Sequence, residues 1–133
     1  MLSLYFIFIS LISSQSNSCS EGLLTIKEGT QKIDDNQYYK CSKLIGPLSI
    51  PSTTKSIGKY AFYECSGFNG TLTIPDSVIS IGDYAFTGCI GFESLTISQS
   101  LTTISMSSFS NCSGFIGTLT IPNSVKIIKS YAF

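Results

Sequence analysis

A period of 23 to 24 residues runs through this chain and limits what it can fold into. Leu24, Leu48, Leu72, Leu95 and Leu119 open five successive units at steps of 24, 24, 23 and 24 residues. Ile26, Ile50, Ile74, Ile97 and Ile121 follow two positions later, and Ile33, Ile57, Ile81, Ile104 and Ile128 nine positions later. An aromatic stands at offset fourteen in every unit: Tyr38, Phe62, Phe86, Phe109 and Phe133. Cys41, Cys65, Cys89 and Cys112 share offset seventeen, and Leu44, Phe68, Phe92 and Phe115 share offset twenty. Six columns in register define a repeat, not a coincidence.

Each unit reads as a short strand, a second extended stretch and a turn. Leu72-Thr73-Ile74 alternates apolar and polar, as a strand with one buried face does. Pro75, like Pro51 and Pro122, has no N–H for a ladder and ends that strand; Lys27 and Ser98 hold the column elsewhere. Val78 and Ile81 turn inward over the second stretch, and Gly82, like Gly58, is expected to allow a sharp turn. The spacing of Ala85, Phe86 and Cys89 predicts a single helical turn. One unit buries about eight apolar side chains at roughly 1.5–3 kcal/mol each. Ordering its backbone opposes this by about 1–2 kcal/mol per residue, so a lone unit cannot fold. Units must stack, each column becoming a continuous row. The period lies in the range of leucine-rich repeats. The expected fold is a leucine-rich-repeat solenoid: repeated short parallel β-strands, short helical or irregular connections, and a right-handed coil.

The N-terminal part differs from the rest. Leu4 to Ile12 is apolar, small and polar residues follow, and the first charged side chain is Glu21. Residues 1–18 therefore read as a secretory signal peptide, the other reading being an uncleaved hydrophobic anchor. Residues 19–47 form a degenerate capping repeat, with Asn36-Gln37-Tyr38 where later units have Tyr-Ala-Phe. Residues 48–133 carry the regular repeats, the last incomplete: Phe133 falls in mid-unit, which suggests either a longer protein or a truncated gene product.

Eight basic side chains balance eight acidic ones without clustering, so no phosphate-binding footprint is present. The chain has no histidine, which removes Ser-His-Asp and Cys-His nucleophiles and the usual His-containing zinc sites. The carboxylates Asp34, Asp35, Asp76, Asp83, Glu64 and Glu93 do not recur as an acid–base pair. The expectation is a non-enzymatic protein with no cofactor and no metal.

The stretch from Ile74-Pro75-Asp76-Ser77-Val78 through Ile81-Gly82-Asp83-Tyr84-Ala85-Phe86-Thr87-Gly88-Cys89 resembles the BspA-type leucine-rich repeat, also called the Treponema pallidum-type. The unit from Leu48 matches closely; Ser98 for Pro and Ser105-Met106-Ser107-Ser108 for Gly-x-x-Ala depart from the pattern. The resemblance spans residues 24–133. It implies a secreted or cell-surface protein, since this type is regarded as comprising surface antigens and adhesins of mucosal bacteria and parasitic protists. The partner implied is a protein or glycan on another cell or matrix. A passive surface-coat antigen, or a gene fragment without a specific ligand, is the alternative.

Three sets of residues are candidates for contact or modification. The second strand position reads Thr25, Ser49, Thr73, Thr96 and Thr120, and pleating should aim these hydroxyls outward, either as a ligand-binding ladder or as a solvated strand face. Tyr60, Tyr84 and Tyr131 precede the buried aromatic by two positions, either as recognition residues or as shields over the neighbouring unit's backbone. Asn69-Gly70-Thr71 forms a glycosylation sequon in a loop before a strand; Asn111-Cys112-Ser113 forms a second one that includes a core cysteine. The cysteine column is expected to hold free buried thiols, because side chains of stacked units run parallel and not towards each other. Cys19 lies outside the column, at the N-terminal cap.

Overall fold

The computed structural model describes residues 19–133; the expected signal peptide lies outside the described residues. Among the described residues nine short strands occur: β1 (Gly22–Leu23), β2 (Lys32–Ile33), β3 (Leu44–Ile45), β4 (Ser56–Ile57), β5 (Gly70–Thr73), β6 (Ser80–Ile81), β7 (Phe92–Thr96), β8 (Thr103–Ile104) and β9 (Ile127–Ile128). Every pairing among these strands is parallel and joins neighbouring units: β1 with β3, β2 with β4 and β4 with β6, β5 with β7, and β8 with β9. Ser56 lies beside Ser80 and Ile57 beside Ile81, one repeat apart. Parallel neighbours one period apart define a solenoid.

The repeat columns form its core. Phe62, Phe86, Phe68, Phe92 and Phe109 are buried, together with Ile33, Ile57, Ile81 and Ile104. The offset-fourteen rings form one stack from Tyr38 to Phe133, with centroids 5.1, 5.1, 5.6 and 5.8 Å apart at successive steps. Phe68 and Phe92 stack beside them at 5.7 Å. These separations fall where offset aromatic pairs are attractive. Ile104 has a unit on both sides and is 2 % exposed; Ile128, with a neighbour on one side, is 53 % exposed. Burial comes from the neighbours, not from the unit itself.

Two expectations about local structure fail. The leucine strand is a named, paired element only at β5–β7, whereas the second extended stretch carries the longer ladder through β2, β4 and β6. Among the described residues there is also no helix where a helical turn was expected. From Tyr60 to Cys65 the backbone N–H groups alternate in their partners. Ala61, Tyr63 and Cys65 close local turns onto the carbonyls of Gly58, Tyr60 and Phe62, at 3.3, 3.2 and 3.2 Å. Tyr60, Phe62 and Glu64 donate instead to Asp83, Ala85 and Thr87 of the next unit, at 3.1, 2.8 and 2.7 Å. The alternation depends on left-handed residues four positions apart: Asn36 and Lys40, Tyr60 and Glu64, Tyr84 and Gly88, Ser107 and Asn111. A left-handed residue with a side chain costs about 1–2 kcal/mol. The inter-unit hydrogen bonds offset that cost, which a helix closed on itself would not obtain.

Glycine acts here through closeness. Gly58 and Gly82 do not have positive φ; a Cβ on Gly82 would stand 2.5 Å from the backbone nitrogen of Lys59. The sharp-turn explanation is therefore wrong, and close approach of stacked backbones replaces it. A second column, Gly67, Gly91 and Gly114, lies just before Phe68, Phe92 and Phe115, and a Cβ there would collide with carbonyls of the preceding unit.

The irregular fourth unit is repaired by hydroxyls. Ser98, in the proline column, is buried and donates to the Val78 carbonyl at 2.7 Å. Ser105 replaces the glycine, its hydroxyl bonds the Ile81 carbonyl at 2.6 Å, and no strand pairing joins β6 to β8. The single 23-residue step arises where Phe92-Glu93-Ser94-Leu95 lacks the glycine found in Phe68-Asn69-Gly70-Thr71-Leu72. Gly70 pairs with Phe92 and Thr71 with Ser94, so Glu93 is skipped in the register.

Candidate functional site

All five hydroxyl residues, Thr25, Ser49, Thr73, Thr96 and Thr120, are exposed. They do not form one continuous ladder. Thr73 and Thr96 are cross-strand partners in β5–β7, and Thr71 and Ser94 extend that patch through a 2.7 Å hydroxyl–hydroxyl bond. Thr25, Ser49 and Thr120 lie outside named strands. The hydroxyl face is thus a compact patch centred on the third and fourth units.

The tyrosines form a larger group than the sequence suggested. Tyr60 and Tyr84 stack at 4.9 Å, and Tyr39 and Tyr63 stack at 5.1 Å. Tyr60 meets both Tyr39 and Tyr63 edge-on, at 6.2 and 5.5 Å. The Lys40 and Lys59 ammonium groups stand 5.5 and 5.3 Å from the Tyr39 and Tyr60 ring centroids, a cation–π distance. Lys40 also pairs with Glu64 at 3.5 Å, and the Glu64 charge raises the affinity of Lys40 for its proton. Tyr131 stands apart and is 80 % exposed. Tyr39 and Tyr63 share offset fifteen, and that two-member column was the signal available in the sequence. Ring faces inside the cluster are largely used on one another, leaving edges and hydroxyls to the outside.

An open groove runs over β2, β4 and β6, lined by Lys32, Asp35, Ser56, Lys59, Ser80 and Asp83 among others. Its carboxylates are already engaged: Asp35 accepts the Lys59 N–H at 2.8 Å, and Asp83 accepts the Met106 N–H at 3.2 Å. Asp76 likewise accepts the Gln99 N–H at 2.7 Å. These aspartates tie unit to unit. Among the described residues no group of three or more His, Cys, Asp or Glu side chains converges as metal ligands do.

The cysteine column needs one correction. Cys65, Cys89 and Cys112 are free and buried, and each thiol donates to the preceding unit's aromatic carbonyl: Tyr38 at 2.9 Å, Phe62 at 3.1 Å and Phe86 at 3.2 Å. Burial pushes the Cys65 and Cys112 thiols up to about 12 and Cys89 well above its ordinary value, so thiolates are absent at neutral pH. Cys41, expected to be a free thiol, is disulfide-bonded to Cys19 with Cα atoms 4.9 Å apart. Parallel side chains keep column members apart, but Cys19 enters from outside the repeat and is not bound by that geometry.

Asn69 is exposed ahead of β5, with its N–H bonded to the Gly46 carbonyl at 3.0 Å. Asn111 is exposed in a left-handed turn, while Cys112 of the same sequon is buried. Among the described residues no helix is long and apolar enough to cross a membrane.

Stacked units, an exposed hydroxyl patch and an aromatic cluster define a leucine-rich-repeat scaffold. The chain belongs to the BspA type leucine rich repeat family, whose model matches residues 13–133 in six copies. A leucine-rich repeat protein from Bacteroides ovatus ATCC 8483 is similar at 30 % identity and TM-score 0.79, over 90 % of this chain and 30 % of that one. The Treponema pallidum leucine-rich repeat protein shares the fold at 23 % identity and TM-score 0.69, over 77 % of this chain and 47 % of that one. The chain therefore spans less than half the length of either structure. Comparison with curated proteins finds no match. Repeats of this family are protein-interaction scaffolds.

Proposed function

We propose that this chain is part of a non-enzymatic recognition protein of the cell surface or extracellular space, binding a host protein or glycan through the β5–β7 hydroxyl patch. Residues 1–18 act as the export signal, residues 19–47 as the cap and residues 48–133 as the binding array. The observation that carries the reading is the paired, exposed Thr73 and Thr96, with Thr71 and Ser94 beside them on the same two strands. Each hydroxyl offers one donor and two acceptor sites at a low desolvation cost, which suits repeated polar contacts with a sugar or a peptide backbone. The Cys19–Cys41 disulfide supports export, because such bonds persist in oxidising compartments. Asn69, exposed beside this patch, is the position proposed to carry a glycan if the secretory route adds one.

The test pairs glycan-array and host-cell binding by the purified protein with the same assays on a Thr73→Lys/Thr96→Lys variant. Both positions are exposed, so the variant is expected to fold and to lose at least tenfold in saturable binding. Equal binding by the variant would remove the patch from the site. Absence of saturable binding by the parent protein would favour a passive surface-coat element.

A further inference from the structure

Four tyrosines lie in contact on the outer surface, as two face-to-face pairs that touch edge-on. Tyr60 and Tyr84 stack at 4.9 Å with ring planes 8° apart, and Tyr39 and Tyr63 stack at 5.1 Å and 14°. Tyr60 meets Tyr63 at 5.5 Å and Tyr39 at 6.2 Å. Each stacked pair joins neighbouring units, and the backbone fixes both rungs. The Tyr60 N–H donates to the Asp83 carbonyl at 3.1 Å, and the Lys40 N–H to the Tyr63 carbonyl at 2.7 Å. Tyr39 is 42 % exposed and the other three are half-buried, so an oxidant in solution reaches the cluster. The chain has no tryptophan and no histidine. The thiols of Cys65, Cys89 and Cys112 are buried, and burial keeps them protonated. One-electron oxidation of the folded protein therefore falls on accessible phenols, whereas methionine takes up an oxygen atom and becomes a sulfoxide. Within the cluster, a phenoxyl radical already has a second phenol against its ring.

We propose that the stacked pairs Tyr60–Tyr84 and Tyr39–Tyr63 are sites of oxidative cross-linking, each forming a dityrosine that staples two neighbouring units. The oxidant is hydrogen peroxide acting through a haem peroxidase. Each phenol of a pair gives up one electron and its O–H proton, and a ring carbon ortho to each oxygen joins the other in a C–C bond. The hydrogen on each joined carbon then moves to its oxygen and restores the phenol. The pair has lost two hydrogens in all, and one peroxide has become two waters. Bonding needs the rings to slide from face-to-face to edge-to-edge, a rotation about two side-chain bonds that a half-open surface permits. Tyr39 and Tyr63, like Tyr60 and Tyr84, are 24 positions apart, so each link closes a loop and restricts the unfolded chain as a disulfide does. The cross-links do not depend on the hydroxyl patch, which lies on other positions of the repeat.

The test treats the purified, folded protein with a haem peroxidase and hydrogen peroxide at low protein concentration. The intact monomer is expected to lose two hydrogens per link and to gain dityrosine fluorescence, with a yield independent of dilution over a tenfold range. Trypsin with a Glu-specific protease separates residues 33–40, 60–64 and 65–93, so tandem mass spectrometry of the joined peptides identifies the linked rings. Tyr84→Phe keeps a stacked ring but has no O–H to lose. It is expected to abolish the Tyr60–Tyr84 link and keep the Tyr39–Tyr63 link, and Tyr39→Phe is expected to do the reverse. A Tyr39→Phe/Tyr84→Phe protein, folded by circular dichroism, is expected to form at least fivefold less dityrosine. The linked monomer is expected to unfold at a urea midpoint about 1 M higher than the untreated protein. A monomer of unchanged mass, coupling only between molecules, or undiminished dityrosine in the folded double variant would each overturn the assignment. An unchanged urea midpoint in the linked monomer would overturn the stapling.

Discussion

Phe86→Ala tests whether the aromatic row holds the solenoid together. Phe86 is fully buried and stacks on Phe62 at 5.1 Å and on Phe109 at 5.6 Å. Truncating a buried phenylalanine to alanine costs about 3–5 kcal/mol through lost transfer energy and the cavity left behind. Each ring pair is worth about 0.5–1.5 kcal/mol beyond burial, and this substitution breaks two, so the upper half of that range, about 4–5 kcal/mol, is expected. Phe133 supplies the control. It is 46 % exposed and stacks only on Phe109, at 5.8 Å, so Phe133→Ala should cost about 1 kcal/mol. Urea unfolding of the purified protein, followed by far-ultraviolet circular dichroism and tyrosine fluorescence, measures both. A stability of about 5–15 kcal/mol is typical of a domain, so Phe86→Ala comes near the limit of folding. Phe86→Leu, which keeps most of the apolar volume while losing both ring pairs, should cost about 1–3 kcal/mol and keeps the comparison measurable. Equal midpoint shifts for Phe86→Leu and Phe133→Ala would refute the claim that energy accumulates through neighbours on both sides.

Gly91→Ala should destabilise by about 2 kcal/mol or more in the same urea assay, because its Cβ would collide with the Phe68 carbonyl; an effect below about 0.5 kcal/mol would refute the close-approach account. Cys19→Ser frees a closure spanning 22 residues of sequence and should lower stability by about 3 kcal/mol, with reduction by dithiothreitol mimicking the loss in the parent protein only. The three buried thiols have folded pKa values raised above those of the unfolded chain. For Cys65 and Cys112 this stabilisation is fully present below about pH 9 and is lost as pH rises from there through about 12, because the unfolded chain releases these protons first; Cys89 loses its share in the same direction. Each thiol should contribute a slope of about 1.4 kcal/mol per pH unit in that window, and a Cys65→Ala/Cys89→Ala/Cys112→Ala protein should lose the steepness in urea midpoints measured between pH 8.5 and 10.5.

The stacking and the core were legible in the primary structure because burial has a period. Ile33, Ile57, Ile81 and Ile104 recur at one offset and form one buried row; so do Tyr38, Phe62, Phe86 and Phe109. The exposure of Thr73 and Thr96 followed from the same alternation. Less legible was the segment from Gly58 to Cys65. Its Ala, Phe and Cys spacing fits a helical turn, but three of its eight N–H groups find partners in the next unit, and no local propensity encodes that exchange.

The amino-acid order alone determined that units of 23 to 24 residues must lie one on another, since a single unit cannot bury enough apolar surface to overcome its backbone entropy. Tertiary structure decided what depends on direction and distance between units. It gave Cys41 the outlying Cys19 as partner and brought Tyr39 and Tyr63 against Tyr60. The physical reason is that a repeat specifies which residues are equivalent, whereas contacts across units depend on how closely and at what angle the backbones meet.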